Sequence, residues 1–175
     1  MMVTEEVLHQ EAAREIYGSC LLALRDERGV HAETAIAALA AVCGEALLRA
    51  SNVDLSQFPQ GGIVLVDQVN DSGPRTLAYL EELLTELDIR VEEWQGKIPL
   101  EHQPIKDPAR LAQELRPLMQ SLYEKFQLDE KQAAQAVCLA LALLIRDCRT
   151  VLEPEISVII ASNTVSRMSR SVPLV

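Results

Sequence analysis

The chain has 175 residues, of which 49% are hydrophobic and only 3% aromatic, and its formal net charge is −10. This length is enough for one compact domain, and the apolar content excludes an intrinsically disordered protein. The acidic excess repels phosphate backbones and anionic lipids, so we expect no nucleic-acid partner and no membrane partner.

The cysteines and the first residues of the chain bear on where the protein works. No two cysteines form a CxxC pair, and each lies in an apolar or helical stretch, as buried free thiols do. The start MMVTEEVLHQ has neither the basic nor the apolar region of a secretion signal. The apolar run 133–145 is shorter than the roughly 20 residues that span a bilayer. We therefore predict a cytoplasmic protein. The cysteines are Cys20, Cys43, Cys138 and Cys148.

The first half of the chain, about residues 4–90, opens with two predicted helices. Thr4 followed by two glutamates is typical of a helix start, because the hydroxyl can cap the helix and the acids favour its first turn. This helix ends near Glu27. A second helix is predicted from about residue 32 to about residue 50, with Glu45 nearly opposite its main apolar face.

The stretch GGIVLVDQVNDSGP, residues 61–74, follows the second helix. Its aliphatic run predicts either a buried strand or a short buried helical turn, which periodicity does not separate at this length. The glycine pair precedes the aliphatic run, so it is not a phosphate-binding loop, and a turn with positive φ explains it better. Gly73-Pro74 then predicts a third helix, whose leucines repeat to Leu87.

Four polar residues in and after this stretch form the candidate ligand-binding set: Asp67, Asn70, Asp71 and Arg75. Short polar side chains between a buried segment and a helix N-terminus can bind a cation or orient a small polar ligand. Their spacing does not match an EF-hand loop. The alternative interpretation is local, with Asp71 and Ser72 capping the third helix and Asn70 satisfying backbone groups in a turn.

A proline-rich connector, about residues 95–107, leads into the second half of the chain, about residues 108–166. Asp107-Pro108 predicts the start of a fourth helix, which Pro117 is expected to break or kink. The next helix is apolar on all sides from Ala133 to Ile145, so we expect it to be buried at the centre of the fold.

Two histidines and the single tryptophan are the other residues considered for a role. His31 lies where a helix begins, which predicts a turn or capping role, and His102 lies in the connector, where we expect it to be solvated. Trp94 is expected to cover the edge of the core, although an exposed indole there would indicate a partner surface.

The two halves resemble each other weakly, in the same order. Asn70 aligns with Asn163, which favours a structural role for Asn70, whereas neither aspartate of the candidate set has an equivalent. We predict two halves, each a pair of helices and an aliphatic segment, packed across one core. If both aliphatic segments are strands, they would pair as a ribbon. The aligned stretches begin at Arg14 and Arg116, at His31 and Leu128, and at Ile63 and Ile156.

The sequence therefore predicts a mainly α, compact domain over residues 1–175, with at most a minor short β element and a flexible tail at about 167–175. No catalytic, cofactor or metal motif occurs, which favours a non-enzymatic interaction or regulatory protein. We expect it to form a homodimer through an Ala/Leu-rich helical face. The alternative is a small-molecule or metal-ion binder, or a small enzyme, with a pocket between the two halves that uses the candidate set.

Overall fold

A computed structural model describes residues 4–175, so residues 1–3 of the predicted domain and of the stretch MMVTEEVLHQ lie outside the described part. Six long α-helices and one four-residue helix make up this part, without a regular strand, and the mainly α prediction is confirmed. Two single 3-10 turns lie at Leu55–Gln57 and Leu100–His102. The helices are α1 (Glu5–Leu24), α2 (Ala32–Ala50), α3 (Asp67–Asn70), α4 (Ser72–Glu86), α5 (Pro108–Lys125), α6 (Glu130–Cys148) and α7 (Pro154–Met168).

Two helices, α2 and α6, pack against each other at the centre of the structure. Helix α1 packs on α6, and helices α5 and α7 pack on α2, so α2 is buried on nearly every side. Gly44 allows the close approach of α7, because a Cβ atom at this position would lie 2.6 Å from the Cβ atom of Met168. The apolar run of α6 is mostly buried, as predicted, and it shares the centre with α2.

Local capping explains where the later helices begin. The Asp107 side chain accepts a hydrogen bond from the Ala109 amide at the start of α5. Asp129 and Gln132 form a reciprocal capping box at the start of α6. The predicted break at Pro117 is wrong, because α5 continues through it to Lys125. The loss of one backbone hydrogen bond is offset by the apolar face that α5 buries on both sides of the proline.

The two aliphatic segments adopt different structures. Residues 156–160 lie within α7, whereas residues 63–66 are extended and precede α3. Ile63 forms one isolated bridge, with Ser171, and Val64 is fully buried. The segments therefore do not pair with each other, and the two-half repeat stays a prediction.

The segment 167–175, which we expected to be flexible, packs against the rest of the chain. The Gly61 amide donates to the Val172 carbonyl at 3.0 Å, and the Val172 amide donates to the Gly62 carbonyl at 2.9 Å. Val172 also closes a small apolar cluster with Val64 and other residues. These backbone bonds and the buried side chains of Met168, Val172 and Pro173 hold the segment that we predicted to be a flexible tail. Gly61 has a φ of +72°, which confirms the predicted positive-φ turn.

Trp94 covers the edge of the core, as predicted. Its side chain is half-buried against the main apolar cluster, and its Nε1 atom donates a 3.1 Å hydrogen bond to the Val91 carbonyl. Of the helices in residues 4–175, none combines the length and the hydropathy needed to cross a membrane.

Candidate functional site

The predicted ligand-binding set lies on and beside the short helix α3. Asp67 and Asn70 are its first and last residues, Asp71 joins it to α4, and Arg75 lies in the first turn of α4. All four residues are exposed, and no side chain of the set takes part in a hydrogen bond or ion pair within residues 4–175. Arg75 lines a cavity of about 340 Å³ between α2, α4 and α6, which the other three residues do not line.

The hydrogen bonds that the local alternative expects for this set do not form among residues 4–175. Asp71 makes no capping hydrogen bond, because its backbone is helical (φ −95°, ψ −18°) and leads α3 almost directly into α4. The Ser72 hydroxyl instead donates to the Val69 carbonyl at 3.1 Å. Asn163 donates to the Gly96 carbonyl at 3.0 Å, and Asn70 has no corresponding bond in the described residues. In this part of the chain no three His, Cys, Asp or Glu side chains are arranged to hold a metal ion.

A different cavity, of about 180 Å³, lies between α2, α5 and the start of α6. We call it the Glu45 cavity, after the buried carboxylate on its wall. Tyr123 and Gln120 also line it, as do two acidic residues at the start of α6, Asp129 and Glu130. Arg49 and Arg116 are part of the wall as well. Its apolar residues are Val42, Ala46, Ala112, Met119, Leu128 and Ala133.

Glu45 is bound by two arginines, and we call these three side chains the Glu45 ion cluster. Arg116 binds the carboxylate with two hydrogen bonds, from Nε to Oε1 at 2.6 Å and from Nη2 to Oε2 at 3.2 Å. Arg49 donates from Nη2 to Oε1 at 3.2 Å. The Glu45 side chain is 8% exposed, that of Arg116 19% and that of Arg49 40%. Two guanidinium groups thus share one carboxylate, which leaves one positive charge uncompensated within the cluster.

Helix geometry brings these groups together. Glu45 and Arg49 are four residues apart, so they lie on the same face of α2. Arg116 is 71 residues from Glu45 in the chain and reaches it only because α5 packs on α2. Glu45 lies on the face of α2 nearly opposite its main apolar face, as the helical periodicity of the sequence predicts. Helix α5 covers this opposite face of α2 as well.

Tyr123 adds a neutral hydroxyl to the wall of this cavity. Burial raises its pKa well above the usual range for tyrosine, and nearby acidic groups, including Glu45, raise it further, while Arg49 lowers it. The hydroxyl has no hydrogen-bond partner among residues 4–175 and stays protonated at neutral pH. It can therefore both donate to and accept from a ligand.

A second cavity, of about 290 Å³, shares Arg49 and Arg116 with the Glu45 cavity. We call it the Phe58 cavity. Its wall is mainly apolar, and it includes the anchored C-terminal segment. The apolar residues that line it are Leu55, Phe58, Val172, Pro173, Leu174 and Val175. The two arginines therefore lie on the wall of two apolar spaces.

Another cluster of titratable side chains surrounds Glu33. The Nδ1 atom of His31 accepts a hydrogen bond from the Thr34 amide, so the predicted capping role of His31 is confirmed. Its Nε2 atom lies 3.2 Å from the Glu33 carboxylate, and the Nδ1 atom of His102 lies 2.8 Å from the same carboxylate. The prediction that His102 is solvated is wrong, because this contact ties the connector to the start of α2. Both imidazoles are committed to Glu33, which makes this cluster a structural one.

Sequence reasoning did not select Glu45, Arg49 or Arg116. The available signal was a long Ala-rich helix with small residues, Ala38 and Ala41, on the back of its apolar face. Such a helix is covered on more than one side, and a charged side chain within it must find a partner. No family model, no curated protein and no solved structure matches this chain.

Proposed function

We propose that this protein is a non-enzymatic binding protein whose small-molecule ligand occupies the Glu45 cavity. The observation that carries the proposal is that Arg49 and Arg116 share the single buried carboxylate of Glu45 on the wall of a cavity. About half of the residues that line this cavity are apolar. In the predicted division of the chain, α2 belongs to the first half and α5 and α6 to the second. A cavity between these helices supports the alternative of a pocket between the halves, although its residues are not the candidate set.

The energetics of burial support a ligand. Removing charged groups from water costs several kcal/mol per ion, and the cost is offset only when each charge is well paired. Glu45 is paired on both oxygens, but the two arginines have one carboxylate between them. A ligand that adds hydrogen-bond acceptors here stabilises the folded state.

The wall residues favour binding over covalent catalysis. Among the described residues that line the Glu45 cavity there is no serine, cysteine or histidine, the side chains that most often act as nucleophile or general base. A regulatory role follows if the ligand changes how α5 packs on α2, since the ion cluster joins these helices. The predicted cytoplasmic location is part of this proposal.

The test is a thermal-shift screen of small metabolites against wild type and two matched variants. Arg49→Gln removes an arginine from the cavity, and Arg146→Gln removes one of similar side-chain exposure (37%) that pairs with its neighbour Asp147. A ligand at 100 times its Kd stabilises the folded state by about 2.7 kcal/mol. We expect such a shift in wild type and Arg146→Gln and its loss in Arg49→Gln.

A third variant, Asp67→Ala, separates this site from the candidate set. The proposal fails if no compound stabilises wild type, or if Arg49→Gln keeps the full shift. If Asp67→Ala alone removes the shift, the candidate set around α3 is the binding site instead.

A second candidate function is protein interaction, most simply as a homodimer. It is favoured by a groove of about 560 Å³ along α6, between α1 and α4, which we call the α6 groove. Leu139 and Leu143 are half-buried on its floor, and Leu83 and Leu87 on its α4 side. Light scattering tests this function, and a clean monomer at high concentration would remove its main support.

A further inference from the structure

We propose that the ligand of the Glu45 cavity is a monocarboxylate with a small apolar body, its carboxylate bound by Arg49 and Arg116. This inference rests on the proposed function and adds the chemical class of the ligand. Three features of the site support this inference. They are the nitrogen atoms of each guanidinium that have no hydrogen-bond partner, the charges of the site, and the size and lining of the two cavities.

The first feature is the set of unused donors. Arg49 and Arg116 both bind Glu45 through Nε and Nη2, and the Nη1 atom of each has no hydrogen-bond partner within residues 4–175. Each Nη1 carries two N–H groups. A carboxylate has two oxygens that accept several such bonds, and charge-assisted bonds of this kind are about twice as strong as neutral ones. The Tyr123 hydroxyl, which lines the same cavity, supplies a further donor.

The second feature is the charge of the Glu45 ion cluster and its surroundings, which favours a monoanion over a dianion. The Glu45 ion cluster carries two positive charges and one negative charge, so one negative charge neutralises it. Asp129 and Glu130 line the same cavity and repel additional negative charge. A dianion such as inorganic phosphate therefore fits less well than a carboxylate.

The third feature is the space around the arginines. An engineered protein cavity of about 150 Å³ with an apolar lining holds benzene, so about 180 Å³ holds one aromatic ring or a short alkyl chain. The apolar side chains on this wall, such as Val42, Met119 and Leu128, suit the contact surface of an aromatic ring or an alkyl chain. The adjoining Phe58 cavity, lined by the same arginines, is also mainly apolar.

The experiment is calorimetric titration of the purified full chain with benzoate and hexanoate, with benzyl alcohol and inorganic phosphate as comparison probes. Benzyl alcohol has the same ring as benzoate without the charge. We expect saturable binding of at least one carboxylate, weaker by about tenfold or more in Arg49→Gln, because charge-assisted hydrogen bonds are lost. Arg146→Gln should bind it as wild type does.

The outcomes separate this inference from the proposed function. One such outcome is that benzyl alcohol binds as tightly as benzoate and that Ala46→Leu, which fills the cavity, weakens the binding of both compounds. The cavity then binds ligands, but the carboxylate assignment is wrong. Tighter binding of phosphate than of either carboxylate likewise overturns the assignment. If neither these probes nor any compound of the thermal-shift screen binds wild type, both proposals fail. Circular dichroism of each variant verifies that it is folded.

Discussion

The Nε atom of Arg116 donates a 2.6 Å hydrogen bond to the Oε1 atom of Glu45, and this contact joins α5 to the central helix α2. The carboxylate is almost completely buried, and the arginine makes a second bond to its other oxygen. Two residues 71 positions apart in the chain thus form a largely buried ion pair between α5 and α2.

Arg116→Met should destabilise the protein by about 3 kcal/mol, because it leaves a buried carboxylate with only the more exposed Arg49 as partner. Urea unfolding followed by circular dichroism measures the change. The double variant Glu45→Gln/Arg116→Met should recover part of the loss, since it removes the buried charge. Arg14→Met, at an exposed position, should change the free energy of unfolding by less than about 0.5 kcal/mol.

The Glu33 cluster predicts a loss of stability in acid. Burial raises the pKa of Glu33, but the hydrogen bond from His102, a backbone hydrogen bond and the charges of both histidines outweigh it and lower the pKa below its ordinary value of 4.5. The unfolded chain then binds the proton more readily than the folded chain, so this stabilisation is present above pH 4.5 and is lost as the pH falls through the lowered pKa.

Unfolding of wild type and Glu33→Gln between pH 7 and pH 3 tests this prediction. The variant should be less stable than wild type near neutral pH. The difference in free energy of unfolding should shrink as the pH falls below the ordinary pKa of a glutamate side chain, 4.5. A difference that stays constant over the whole range would show that the ionised form of Glu33 contributes nothing.

Two glycine-to-alanine substitutions in helices should have opposite effects. At Gly44 the new Cβ atom meets Met168 Cβ at 2.6 Å and the Ser169 amide nitrogen at 2.9 Å, so Gly44→Ala should destabilise the protein by about 1–3 kcal/mol. At Gly18, in α1, no atom lies within 4 Å of the new Cβ atom. Gly18→Ala should therefore stabilise it by about 0.5–1 kcal/mol through higher helix propensity. Thermal unfolding of both variants measures the two effects, and equal shifts would contradict the close α2–α7 contact.

The anchoring of the C-terminal segment predicts a local opening when Val172 is made polar. Val172→Asp places a charge in the small apolar cluster and should speed hydrogen exchange at the Val64 amide, which donates to the Arg170 carbonyl at 2.7 Å. Val175→Asp, at an exposed position, is the control and should leave this exchange rate unchanged. Slow exchange at Val64 in both variants would show that the segment is held by other contacts.

The sequence by itself determined the local features of this protein. The caps at Asp107 and Asp129 and the proline after Asp107 start their helices through contacts within one turn, and an apolar run such as that of α6 must be buried somewhere. These features depend on residues three or four positions apart. The helical class of the fold could therefore be predicted without any knowledge of its packing.

Only the tertiary structure decided which charged and polar residues lie together. Arg116 reaches Glu45, His102 reaches Glu33, and Val172 reaches the cluster around Val64 across long stretches of chain. A hydrophobic pattern tells which face of a helix is buried, but not which other helix covers it. For that reason the aspartates near α3 stood out in the sequence, while the buried carboxylate of α2 and its distant arginine did not.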